Sequence, residues 1–405
     1  MADNKDKKVL NVPALRFPEF TREWKEHYLA EYLDFKNGLN PSANKFGSGI
    51  KFISVMDILN NDFITYDCIR TSVEITPEEQ VAFAVEKGDM LFQRSSETLE
   101  DVGRANVYMD DRSAVFGGFV IRGKKKAEYN PMFFRYLLAS PYARKKVIPM
   151  GAGAQHFNIG QDGLSKVRLH FPVLQEQHKI ATLLRLIDDR ISTQNKIIEK
   201  LETLIKGIVD SIFTANKFPK VPFKEIYVRA GEGGTPSTSN PEYYDNGTIP
   251  FIKIDDLQNK YIKTNKDCIT DLGLQKSSAW IVPANSIIYS NGATIGAISI
   301  NLFPVCTKQG ILGVVPKADI NVEFLYYFMT STAFTKAVER IVTEGTMRTA
   351  YLKDINHIPC PVPYPVKQDE IAKMLSTLSE KLENEVIFQM KLQKQKEFLL
   401  SQMFI

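Results

Sequence analysis

The sequence predicts an α+β chain, with two similar mixed α/β domains in a pseudo-two-fold arrangement separated by two long antiparallel coiled-coil helices. Three observations lead there. The second part of the sequence repeats the first at an offset of about 191 residues. Each copy ends in an apolar series stepping by fours and threes, and each begins with a stretch rich in short strand patterns.

The repeat is tightest at its helical end. Pro172/Pro363, Gln177/Gln368, Ile180/Ile371, Ala181/Ala372 and Leu184/Leu375 coincide without a gap, and the offset holds to Phe213 and Phe404. Upstream the match is looser. The run from Phe52 to Asp57 answers Phe251 to Asp256, Cys68 answers Cys268, and 131–138 parallels 322–329. The implied domains are an N-terminal segment (1–21), a first mixed α/β domain (22–172), a central helical spacer (173–214), a second mixed α/β domain (215–363) and a C-terminal helical spacer (364–405).

The first spacer carries Ile180, Leu184, Ile187, Ile191, Ile198, Leu201, Ile205, Ile208 and Ile212, with Gln194 as the sole interruption. Alternating steps of four and three average 3.5 residues, the period of a left-handed coiled coil, so the seam should face a long partner. About 39 residues at a 1.5 Å rise make a rod on the order of 60 Å. The second spacer fits at Ile371, Leu375, Leu378, Leu382, Leu392 and Leu399 but puts Glu385, Gln389 and Lys396 on the same stripe. Each helix is the simplest partner for the other, and polar interruptions help set register.

Within the domains, strand alternation is read in 88–92 and 286–289, and again in 116–121 and 309–315. Short helices are expected over 132–138 and 322–332. Asn130 ahead of Pro131 reads as a helix N-cap with proline at the first helical position. Residues 231–240 form a polar, glycine-rich loop whose small groups can approach a phosphate.

Composition narrows the function classes. The chain has 405 residues, 44% hydrophobic and 24% charged, with net charge +4. Its pI of about 8.6 permits nucleic-acid binding without arguing for it. The polar N-terminus does not resemble a signal peptide, and no apolar run approaches the roughly 20 residues of a membrane span, so a cytoplasmic, membrane-free protein is expected. Cys68, Cys268, Cys306 and Cys360 show neither disulfide nor zinc spacing and are expected reduced. There is no phosphate-binding G-x-x-x-x-G-K-[ST] loop and no histidine cluster. Asp255 and Asp256 are adjacent, which on a strand would point them to opposite faces.

An ordered set of short segments then suggests a family. Gly-Gly-Thr-Pro-Ser (233–237), Tyr-Tyr-Asp-Asn-Gly (243–247), Ile-Pro-Phe-Ile (249–252) and Asp256 come first, followed by 281–288, Gly-Ala-Thr-Ile-Gly (292–296), Gly345-Thr346 and 362–372. The first half repeats this less completely, with Asn40-Pro41-Ser42 where Thr-Pro-Ser would stand, and opens with residues 13–20 and Trp24. The chain resembles a type I restriction–modification specificity subunit over essentially its whole length.

That resemblance implies a sequence-specific, non-catalytic DNA-binding subunit in which each domain reads one half of a divided, asymmetric double-stranded site. The helices would dock two methyltransferase subunits, and two motor-nuclease subunits could join. S-adenosylmethionine, ATP and Mg would then sit on those partners, with no metal or cofactor in this chain. Candidate DNA contacts are Gln93, Arg94, Ser95, Ser96, Arg104, Gln155 and His156 in the first domain. In the second they are Thr235, Ser237, Ser290, Asn291, Lys308, Gln309, Thr346 and Arg348. Two other readings remain: a stand-alone DNA methyltransferase or nuclease with an unfamiliar site, and a coiled-coil protein adaptor without a DNA role.

Overall fold

The computed structural model describes residues 11–215, 217–292, 294–343 and 348–405. The chain divides into two compact units, Met1–Asn195 with Ile387–Ile405, and Lys196–Val386. Both divisions fall inside long helices, Leu174–Ala215 (42 residues) and Pro365–Gln402 (38 residues). The reason is that each helix half packs on its own domain.

In the first unit an antiparallel four-stranded sheet runs in the order Leu33–Asn37, Val120–Lys125, Met90–Gln93, Ala105–Val107. A smaller sheet joins Ser72–Val73, Phe46–Ile53 and Val115–Phe116, the last pair parallel. The second unit repeats the plan. Five strands run Tyr227–Glu232, Ile311–Pro316, Ile287–Ser290, Ile298–Asn301, Tyr261–Ile262, and three run Asp267–Ile269, Ile249–Ile252, Cys306–Thr307.

The strand read into 88–92 does alternate, but between two cores rather than between core and solvent. Met90 and Phe92 enter the cluster containing Trp24 and Phe133, while Leu91 enters the one containing Ile53 and Val120. Ile287 and Tyr289 likewise face one core and Ile288 another. A strand covered on both faces has no polar side. The continuous strands read into 116–121 and 309–315 are interrupted by turns, in which Val120 N–H donates to Gly117 O at 2.8 Å and Ile311 N–H to Lys308 O at 3.1 Å.

Asn130 caps the helix Pro131–Ala139, its side chain accepting from Phe133 N–H at 2.9 Å, and Asn321 does the same for Val322–Thr330 through Phe324 N–H at 3.0 Å. The single helix expected to reach 332 stops at Ser331, whose hydroxyl caps a second helix, Thr332–Glu339. Serine competes with helix continuation by bonding the backbone ahead of it.

None of the fifteen seam residues is exposed. In the first unit Ile180 and Leu184 share a core with Leu399, Met403 and Phe404. Further along, Arg190 lies 5.3 Å over the Phe388 ring, and Lys396 Nζ meets Asp188 Oδ1 at 2.6 Å. Residue numbers rise on one helix as they fall on the other, so these segments pair antiparallel. Lys396 interrupts the apolar stripe because it neutralises a buried aspartate. In the second unit Val209 and Phe213 pack with Ile371 and Leu375.

Candidate nucleic-acid interface

In the first domain, the predicted contacts gather where strand ends meet loops. Arg94 N–H donates to Phe119 O at 2.9 Å, and its guanidinium to Gly118 O at 3.2 Å. Ser95 and Ser96 pair with Asn158 and Phe157, and the Ser95 hydroxyl bonds the Asn158 side chain. Gln155 and His156 project from the adjoining turn, both exposed. Arg104 stands nearby, held by Asp101 at 2.6 Å.

The second domain assembles an equivalent cluster. Gln309 N–H donates to Thr235 Oγ1 at 3.3 Å, and Gly310 N–H to Glu232 Oε1 at 2.7 Å. Lys308, Gln309, Ser237 and Arg348 are exposed. Thr346 lies outside the described residues, as does Gly345.

Three candidates are placed differently from expectation. Gln93, Ser290 and Asn291 are buried. Gln93 donates to Ser95 O at 2.9 Å and Asn291 to Ala350 O at 3.1 Å, so both tie loops together from beneath. Gln93 and Ser290 looked like loop positions because each strand runs one residue further than the alternation read in the sequence, and Asn291 follows directly on the second strand.

The adjacent carboxylates also resolve differently. Residues 254–256 form a 3₁₀ turn rather than a strand, and Asp256 Oδ2 accepts from Lys253 N–H at 2.8 Å. Asp57 repeats this with Ser54 N–H at 2.7 Å. Both are caps. Among the described residues no group of three or more His, Cys, Asp or Glu side chains could hold a metal, and no helix is long and apolar enough to cross a membrane.

The two clusters share one scaffold. Gly38 N–H donates to Val120 O and Gly233 N–H to Ile311 O. A Cβ on Gly38 would fall 2.0 Å from Gly117 O, and one on Gly233 1.9 Å from Thr307 O. Only glycine allows this approach, which brings 40–42 in one copy and 235–237 in the other against the tip between the last two strands. Sequence reading overlooked the tip itself, Gly117-Gly118-Phe119, because it looked like strand. The two consecutive glycines were the available signal.

Residues 21–203 and 220–391 match the type I restriction modification DNA specificity domain. The chain belongs to that family. It is similar to the HindI type I restriction enzyme specificity subunit of Haemophilus influenzae, at 25% identity over 407 residues, covering 80% of this chain and 86% of the relative. Among solved structures it is similar to the type I restriction–modification S subunit from M. genitalium, at 16% identity and TM-score 0.56, covering 97% of this chain and 99% of the other. A chain solved for the complex assembly and conformational transition of the type I R-M system gives TM-score 0.61 at 14% identity, covering 93% and 96%. These likenesses establish the specificity-subunit fold, with a domain and its following helix occurring twice.

Proposed function

We propose that this chain is the non-catalytic, sequence-reading subunit of a type I restriction–modification complex. Each domain reads one half of a divided, asymmetric DNA site, and the long helices dock two methyltransferase subunits, to which two motor-nuclease subunits can be added. The observation that carries this reading is the repeated loop cluster: one glycine-clamped scaffold in both domains, furnished with different side chains. Equal scaffolds suit equal partners, and unequal loops suit two unlike half-sites. Exposed Arg348, Lys308 and Gln309, with half-buried Arg94, supply donors for guanine, adenine and phosphate.

In this reading the methyl transfer to adenine N6, and the S-adenosylmethionine it requires, belong to the partners, as do ATP and Mg. Base extrusion is also theirs, since the target atom is inaccessible inside the stack. Co-expression with the cognate methyltransferase subunit, in a host lacking adenine methylation, tests the proposal. Mapped methyladenines should define a two-part motif with an unspecified gap, and duplex binding by the complex should fall steeply with salt. Methylation or cleavage by the purified chain alone would overturn it, as would salt-independent binding.

A further inference from the structure

The first domain carries an open pocket of about 390 Å³ whose walls include Leu39, Asn40, Phe46, Phe52, Met56 and Phe119. Phe119 is 68% exposed and Met56 61%, both at the mouth. An aromatic ring held out on a Gly-Gly turn adds nothing to the core beneath it.

The second domain allows a position-by-position comparison. Phe52 pairs with Val115 as Phe251 pairs with Cys306, and Asp57 and Asp256 cap equivalent turns. Gly38 corresponds to Gly233, and the 117–120 turn to 308–311. On this alignment Leu39, Met56 and Phe119 stand where the second copy has Gly234, Asp255 and Gly310. The scaffold is kept while these three lining positions change from apolar to glycine or carboxylate. A protein partner meeting both copies would need the same surface on each. Two unlike half-sites would need different ones.

We infer that this pocket reads an A·T pair, seating the 5-methyl edge of thymine against Phe119 and Met56 with the Asn40 amide facing adenine. The inference rests on the DNA-reading role proposed above. Thymine alone presents an apolar group in the major groove, and an asparagine amide pairs with adenine through N6 and N7. Asn40 is exposed and lies hard against the tip, since a Cβ on Gly118 would sit 1.9 Å from its Oδ1. Amide and ring therefore meet the same base pair. In the second domain Thr235, Lys308 and Gln309 occupy this place, so reading there is by hydrogen bonds.

The experiment uses the complex with the methyltransferase on duplexes of the mapped motif, replacing each thymine singly by deoxyuridine, which lacks only the methyl group. One thymine, in one half-site, should lose about four-fold in affinity, the worth of one buried methyl. Phe119→Ala should weaken the thymine duplex and erase that thymine–uracil difference, leaving the other half-site's preferences and the Tm unchanged. The inference is overturned if no thymine is distinguished from uracil, or if Phe119→Ala keeps the discrimination. Loss of methyltransferase assembly in Phe119→Ala would also overturn it, by making the pocket a protein contact. Absence of any two-part motif removes the underlying reading as well, whereas a two-part motif without a methyl-sensitive thymine removes this inference alone.

Discussion

The backbone N–H of Asn130 donates to Gln177 Oε1 at 3.0 Å, and 191 residues later Asn321 donates to Gln368 Oε1 at 2.9 Å. Each glutamine is buried and also donates from Nε2, Gln177 to Pro172 O at 3.1 Å and Gln368 to Pro363 O at 2.9 Å. One amide thus links the domain's capped helix, the end of its last strand and the first turn of the long helix. The same link occurs in both copies, so the angle at which a domain leaves its helix is specified by side chains of invariant length.

Gln177→Ala leaves a buried carbonyl and a part-buried N–H unpaired, and an unsatisfied buried group costs about 1–3 kcal/mol. The urea midpoint of the first unit should drop accordingly, and Gln368→Ala should lower that of the second. An unchanged midpoint would mean that water or a neighbouring group replaces the amide.

If the long helix docks the methyltransferase as proposed, substitutions at Leu184 and Leu186 should separate folding from docking. Leu184 is fully buried beside Trp24 and Phe133, so Leu184→Ala should cost about 2–5 kcal/mol. Leu186 is 62% exposed, and Leu186→Glu should alter stability by no more than about 0.5 kcal/mol. It should nevertheless weaken assembly with the methyltransferase, read by gel filtration. An intact complex would place the docking surface elsewhere.

Burial pushes the Cys306 thiol up to about 11 and that of Cys360 further, whereas Cys68 and Cys268 are only half-buried. Thiolate is the reactive species. A disulfide reagent at pH 8 should therefore modify Cys68 and Cys268 in the native protein, and all four thiols after denaturation. Rapid native reaction at Cys306 or Cys360 would contradict the packing.

Glu323 and Asp89 respond to acid with opposite sign. Burial raises the Glu323 carboxyl, but Ser376, Tyr261 and Lys260, whose Nζ lies 3.2 Å away, together hold it below its ordinary value. Its stabilisation is full above the unfolded value of about 4.3 and is lost as pH falls through the lower folded value. Asp89 is raised, chiefly by burial and against the N–H groups of Glu86 and Lys125, so its ionised form opposes folding and protonation relieves it. Glu323→Gln should be less stable than the parent at pH 7, with the gap closing below about pH 4 in thermal melts. A gap independent of pH would assign the loss to packing rather than charge.

The central helix was readable in its extent, because apolar positions stepping by fours and threes mark one helical face, but not in which residues it buries most. Ile180 and Leu184 are buried, whereas toward the other end Val209 and Phe213, off that stripe, are buried and Ile205, Ile208 and Ile212 only partly so. The asparagine caps at 130 and 321 were readable for a similarly local reason, since a cap bonds within three residues of itself. Strand environment was not local. Met90, Leu91 and Phe92 look alike in sequence, and which of two cores each enters depends on elements far along the chain.

Amino-acid order alone therefore settled the duplication, the helices and the chemistry available to the loops, all of which rest on spacing and side-chain type. Tertiary packing decided which polar residues reach the surface. It buried Gln93, Ser290 and Asn291 beneath the loops they were expected to project from, and lifted Phe119 onto a turn. The physical reason is that exposure is a property of what covers a residue, and here the covering segments arrive from far along the chain, as when Ala350 O, 59 residues on, meets the Asn291 amide.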